Sequence, residues 1–207
     1  AYTEELTKEK LLRAAEVASF VARGAEKGVG KPVSVTDRTS YVTVKVPLQQ
    51  VADDQRLQIL KRADEAARDY DRRIKMTSIE YNDEIRSRII ATSEGVYLQD
   101  ELPLLFFIVQ AMSDDGTNRH MARERLSYHS GFEMFETVSP ETVARNAARE
   151  AIDMLGAKDA PAGIMDVVMQ NGWGGVLVHE AVGHPLEADN IAKGVGAFTG
   201  KLGKKVA

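Results

Sequence analysis

From Ile74 to His129 the chain alternates with a period of two, and no other feature restricts its folding as tightly. Successive side chains of a strand point to opposite faces, so alternation marks strands with one buried and one solvated side. The candidate strands are Ile74–Tyr81, Ile85–Thr92, Val96–Met112 and Asn118–Tyr128. Asn82-Asp83, Ser93-Glu94-Gly95 and Asp114-Asp115-Gly116 separate them, and these residues tolerate hairpin turns. Sequential strands joined by short turns specify an antiparallel meander. Leu104–Val109 is apolar on both faces, the pattern of a central buried strand.

Helical patterns flank the meander. Thr7 is an N-cap candidate for a helix running to about Gly24, with Leu11, Leu12, Ala15, Ala18 and Val21 on one face. A turn follows at Gly28–Gly30, and then Tyr41–Val46 reads as a half-buried strand ended by Pro47, with Val42, Val44 and Val46 on one side. A second helix starts near Asp53 and Asp54 and ends near Arg72 and Arg73, which suits the helix dipole. Its expected buried face is Leu57, Leu60, Ala63, Ala67 and Tyr70. Ser139, Pro140 and Glu141 supply the N-cap and first positions of a third helix, with Val143, Ala147, Ala151 and Leu155 inward and Gly156 at its end. Pro161 opens a loop into Ile164–Met169, an apolar stretch suited to a buried strand.

The expected class is therefore α+β: an antiparallel β-meander packed with helices. With no clear linker, residues 1–207 read as one domain. Its parts are a helix-strand-helix region (1–73), the meander (74–130), and a helix, buried strand and histidine-bearing segment (139–207).

Composition narrows the function. Apolar residues make up 43% and charged residues 28%, which is unlike disordered or fibrous chains. The net charge is −4 and bases are scattered among acids, so no footprint for nucleic acid stands out. No apolar run is long enough to span a bilayer and the first residues show no signal-peptide core, making a cytoplasmic protein the expectation. There is no cysteine, which excludes disulfides, thiolate zinc fingers, iron–sulfur clusters and a cysteine nucleophile within this chain.

The residues that carry chemistry are His179, Glu180 and His184. Imidazoles hold zinc, and a neighbouring carboxylate takes a proton from the attacking water in zinc peptidases. In the common H-E-x-x-H helix the histidines lie about 40° apart around the axis; here, five residues apart, they would diverge by about 140° in a regular α-helix. Gly183 permits unusual backbone angles and Pro185 cannot continue the bonding, so a π-type turn is expected at Ala181–His184. Such a turn closes at the fifth residue and returns both rings to one side. Glu187 and Asp189 are expected to support the site from outside it or to face solvent. His120 and His129 fall on opposite faces of one expected strand, which argues against a shared metal, and Gly172–Gly175 reads as a tight turn without a P-loop lysine.

The run Val176–Asp189 resembles the H-E-x-x-x-H signature of the TldD/PmbA peptidases, also labelled modulators of DNA gyrase. Ile164–Met169, Gly172-Trp173-Gly174-Gly175 and the continuation from Gly194 extend the resemblance, and possession of the motif sides with TldD over PmbA (TldE). It implies a cytoplasmic zinc metallopeptidase that cuts peptides or unfolded segments together with a TldE-like partner. Under it His179 and His184 are metal ligands and Glu180 is the catalytic acid/base. The family's third ligand is a cysteine near the end of a longer polypeptide, so this chain is expected to be a central piece of one, binding zinc weakly and inactive in isolation. The competing reading is a non-catalytic module of the same family that holds a peptide or partner along the meander edge.

Overall fold

The computed structural model describes residues 1–21, 34–35, 42–92 and 94–206. The chain divides into two compact units, Ala1–Ala157 and Lys158–Ala207. The expected stop at Gly24, the turn at Gly28–Gly30, and Tyr41 and Ser93 lie outside the described residues.

In the first unit, α1 spans Lys8–Val21 and the Thr7 hydroxyl accepts the Lys10 N–H at 3.4 Å, as its N-cap role requires. Its apolar stripe is not buried: Leu11, Leu12 and Val21 are 47%, 55% and 79% exposed. Three- and four-residue spacing defines a face but cannot say what covers it.

β1 (Ser34–Val35), β2 (Ile74–Ala91), β3 (Val96–Asp114) and β4 (Arg119–Tyr128) form one sheet with β3 at its centre. β2 pairs antiparallel with β3 from Ile74↔Ser113 to Ala91↔Tyr97. Along β3's other edge, β4 pairs antiparallel with Leu105–Asp114 and β1 pairs parallel with Val96 and Tyr97. The hairpins turn where expected, with positive φ at Gly95 and Gly116. The α+β meander is as expected, with one correction. Asn82-Asp83 is not a turn: β2 runs straight through, Asn82 opposite Phe106 and Asp83 opposite Leu105. A two-residue hairpin needs positive φ at its centre, and no described non-glycine residue adopts one. Asp83 instead accepts from the Tyr81 hydroxyl at 2.7 Å and from Arg56 Nε and Nη2 at 3.2 and 3.0 Å. The same guanidinium donates to the Leu48 and Val51 carbonyls at 2.8 and 2.7 Å, fastening the entry to the next helix onto β2.

That helix, α2, spans Asp53–Arg68, and its inward face differs from the expected one. Ile59, Ala63, Ala66 and Ala67 are buried, whereas Leu57 and Tyr70 are 46% and 41% exposed. The alanine stripe turns inward because a second helix lies alongside, and small side chains permit close approach. A short helix α3 (Met134–Thr137) precedes that neighbour, α4 (Pro140–Leu155). α4 follows its sequence signals: Ser139 Oγ accepts the Thr142 N–H at 3.1 Å, and Val143, Ala147, Ala151 and Leu155 are buried. Both long helices cover the face of the sheet that carries Leu105, Phe107, Val109 and Ala111, all fully buried. Buried Ser113 donates to the Ala151 carbonyl at 2.6 Å, satisfying its hydroxyl and tying β3 to α4.

Residues 42–46 correct a second expectation. Val42, Val44 and Val46 are half-buried and alternate with exposed Thr43 and Lys45, yet no strand forms. Val46 donates to the Glu133 carboxylate at 2.9 Å and accepts the Phe132 N–H at 2.9 Å. A side chain thus takes the place of a neighbouring strand. Burial works to raise the Glu133 carboxyl, but the N–H groups of Val46, Glu133, Lys45 and Gly131 outweigh it and hold the group at about 2. A depressed carboxyl stabilises the fold above its unfolded value and loses that contribution as pH falls through the folded one. Glu133→Gln should therefore destabilise the first unit at neutral pH by on the order of 2 kcal/mol. The gap from the parent should close between about pH 4.5 and 2. Urea unfolding of both proteins across that range measures it, and a gap independent of pH would refute it.

In the second unit Ile164–Met169 is irregular and exposed, not a buried strand; Ile164 and Val168 are 108% and 99% accessible. Apolar residues alone do not make a strand when no described neighbour offers it a hydrogen-bonding edge. Short helices α5 (Gly174–Val178) and α6 (Ala188–Ala192) complete this unit and bracket the histidine segment. No described helix is long and apolar enough to cross a membrane.

Candidate metal centre

Gly172, at φ 86°, turns the chain into α5, and Gly175 and Val176 bond back to Gly172 and Trp173 at 2.9 and 3.1 Å. The glycine-rich loop is the tight turn expected. The helix then widens: His179–Gly183 is a π turn in which the His184 N–H reaches back five residues to the His179 carbonyl. It starts two residues earlier than expected. Pro185, with no N–H to give, stops the widened winding and lies within a 3₁₀ turn over His184–Leu186.

This change of winding brings the imidazoles together. The rings of His179 and His184 lie 4.4 Å apart between centroids, inclined at 65°. Gly183 does not play the part expected of it: its angles, φ −60° and ψ −62°, are ordinary right-handed ones. A Cβ there would meet Nδ1 of His179 at 3.4 Å, an ordinary van der Waals contact, so the turn demands a glycine neither for its backbone angles nor for space.

One donor atom each from His179, Glu180 and His184 falls within 4.8 Å of the others. Glu180 Oε2 is 3.6 Å from His184 Nε2, and all three side chains are exposed. On its other side, His184 Nδ1 lies 2.7 Å from Glu187 Oε1. That hydrogen bond and the Glu187 charge raise the basicity of His184, outweighing a small opposing effect of burial, and Glu180 adds to the rise. Of the two outer carboxylates, only Glu187 reaches the histidines; Asp189 pairs with Lys193 Nζ at 3.0 Å. Asn190, which sequence reasoning missed, donates from Nδ2 to the His184 carbonyl at 2.9 Å. A proline one residue after a histidine, with polar residues three and six beyond the ring, was the available signal. His120 lies in β4 and His129 just after it, where Nδ1 contacts the Pro103 carbonyl at 3.1 Å; neither joins the cluster.

His179, Glu180 and His184 thus form an exposed cluster that could hold a metal ion, and comparison with known proteins shows the family of the chain. Residues 46–155 match the PmbA/TldA metallopeptidase central domain and residues 162–207 its C-terminal domain, so the chain belongs to the PmbA/TldD family of metallopeptidases. Each match falls within one of the two compact units. A metalloprotease TldD homolog of Haemophilus influenzae is 30% identical over the whole chain, which covers 44% of that relative. A metalloprotease of Methanothermobacter thermautotrophicus is 27% identical, again over the whole chain and 45% of the relative. The fold also matches a solved structure from Thermotoga maritima, described as a candidate modulator of a DNA gyrase. The TM-score is 0.74 at 22% identity, over 98% of this chain and 45% of that one. The chain thus spans under half the length of the curated relatives it matches.

Proposed function

We propose that this chain carries the metal-binding part of a TldD-like zinc peptidase that hydrolyses peptides or unfolded protein segments. The observation that supports it is the π turn, which sets two imidazoles five residues apart beside one carboxylate. The donor set fits zinc. Two ligands on one tetrahedral ion lie roughly 3.4 Å apart. The 4.8 Å limit on the donor spread is therefore met by rotations on the order of 1 Å, open to exposed side chains. When bound, zinc acts as a Lewis acid that polarises the scissile carbonyl and makes water acidic near neutral pH.

His179 and His184 would hold the ion. Glu180 Oε2 accepts the proton of the attacking water and later delivers it to the leaving amine nitrogen. Two imidazoles are one ligand short of the usual catalytic set, and with no cysteine in the chain the family's third ligand has no counterpart here. Activity is accordingly assigned to this chain within a polypeptide of the relatives' length, acting in the cytoplasm with a TldE-like partner and without nucleic acid. The test is cleavage of an unfolded protein by that polypeptide, followed by mass spectrometry. A chelator should stop cleavage, zinc should restore it, and His184→Ala should be refractory to zinc. Cleavage that survives both the chelator and His184→Ala would overturn the proposal.

The second reading is a non-catalytic module that binds an extended peptide. It is favoured by β2, which pairs only with β3 and presents an open edge among the described residues.

A further inference from the structure

The 3₁₀ turn after the π turn brings a second carboxylate to the site. Side chains three apart eclipse one another in 3₁₀ winding, so Glu187 folds back over His184, its Oε1 2.7 Å from Nδ1. The Glu187 N–H closes the same turn on the His184 carbonyl at 3.1 Å, and Asn190 Nδ2 donates to that oxygen at 2.9 Å. Backbone and side chain of Glu187 therefore grip one residue, with Pro185 stiffening the link. An ionised carboxylate only accepts hydrogen bonds, so Nδ1 must carry the proton in this pair. A neutral imidazole protonated on Nδ1 has its lone pair on Nε2. Nε2 is the atom facing Glu180, 3.6 Å from Oε2.

We propose that Glu187 is a positioning residue that fixes His184 in its Nδ1–H tautomer and turns the Nε2 lone pair toward Glu180. The consequence for metal affinity rests on the reading of His184 as a ligand; the tautomer does not. Free histidine prefers its proton on Nε2, so the Glu187 contact acts against the intrinsic bias of the ring. Outer carboxylates of this kind hold ligand orientation and tautomer in metal sites, and their loss weakens metal binding by roughly 10–100-fold. Asp189, two residues further on and paired with Lys193, supplies a matched control.

The test has two readouts on the same chain. Nitrogen-15 NMR of the imidazoles, without metal and at a pH where the ring is neutral, reports which nitrogen of His184 bears hydrogen. Zinc titration reports affinity. The parent should show Nδ1–H. Glu187→Gln, whose amide oxygen still accepts, should keep that tautomer, whereas Glu187→Leu should move the proton to Nε2. Zinc dissociation constants should rise roughly 10–100-fold for Glu187→Leu and less for Glu187→Gln. Asp189→Asn should change neither readout. A parent ring protonated on Nε2, or a tautomer unmoved by Glu187→Leu, overturns the assignment. Were the tautomer to move as expected while a polypeptide of the relatives' length took up no zinc, the metal reading would fall and the positioning role would stand.

Discussion

Glu180→Gln is expected to lower peptide-bond hydrolysis by roughly 10²–10⁴-fold, the usual contribution of a positioned general acid/base. The amide keeps the shape of the side chain but cannot take up the proton of the attacking water. Zinc affinity should change far less than in His179→Ala or His184→Ala, because the imidazoles hold the ion in this scheme. Steady-state cleavage of an unfolded protein by the full-length polypeptide, alongside zinc titration, separates these effects. It also separates the two functional readings. Lost cleavage with retained peptide binding supports the hydrolase, whereas an unchanged rate would remove Glu180 from the chemistry and leave the binding module standing. The exposed position of the carboxylate makes a folding artefact a poor explanation for loss.

Phe107→Ala is expected to cost the first unit about 3–5 kcal/mol, a large part of the stability of an ordinary domain. Phe107 is the largest fully buried side chain among the described residues. It meets the Phe135 ring edge-on at 5.3 Å, and Phe135 continues to Phe132 at 5.1 Å. These contacts join the centre of the sheet to the segment after β4, so truncation opens a cavity that Ala-rich helices cannot fill by rotating a side chain. Urea denaturation of parent and variant measures the difference. A loss below about 1 kcal/mol would mean that the helices collapse onto the gap, contrary to the close packing inferred here.

How much of this was legible in advance depended on where the deciding interaction lies. α4 was readable to its ends because Ser139, Pro140 and Gly156 act on backbone groups within a few residues of themselves. The π turn was readable for the same reason: a five-residue spacing, a glycine and a proline together leave few ways to bring two histidines to one side. Its start two residues earlier, and the ordinary right-handed angles at Gly183, were not legible, because a spacing of residues does not say where along the segment the winding widens. Asn82-Asp83 misled because the signal for a turn is local, while the partners that keep Asp83 in a strand come partly from α2. The inward face of α2 misled because two apolar stripes were available and only the neighbouring helix chose between them.

The amino-acid sequence by itself determined the alternation of the meander, the capped third long helix and the gathering of His179, Glu180 and His184 in one cluster, since each rests on periodicity or on contacts a few residues long. Tertiary structure decided the uninterrupted course of β2, the alanine face of α2, the substitution of Glu133 for a strand beside Val46, and the exposure of Ile164–Met169. Those outcomes turn on whether distant parts of the chain bring a hydrogen-bond partner or a surface to the segment. A pattern of residues states what each segment can bury or bond, and only the assembled neighbours settle which of those options is taken.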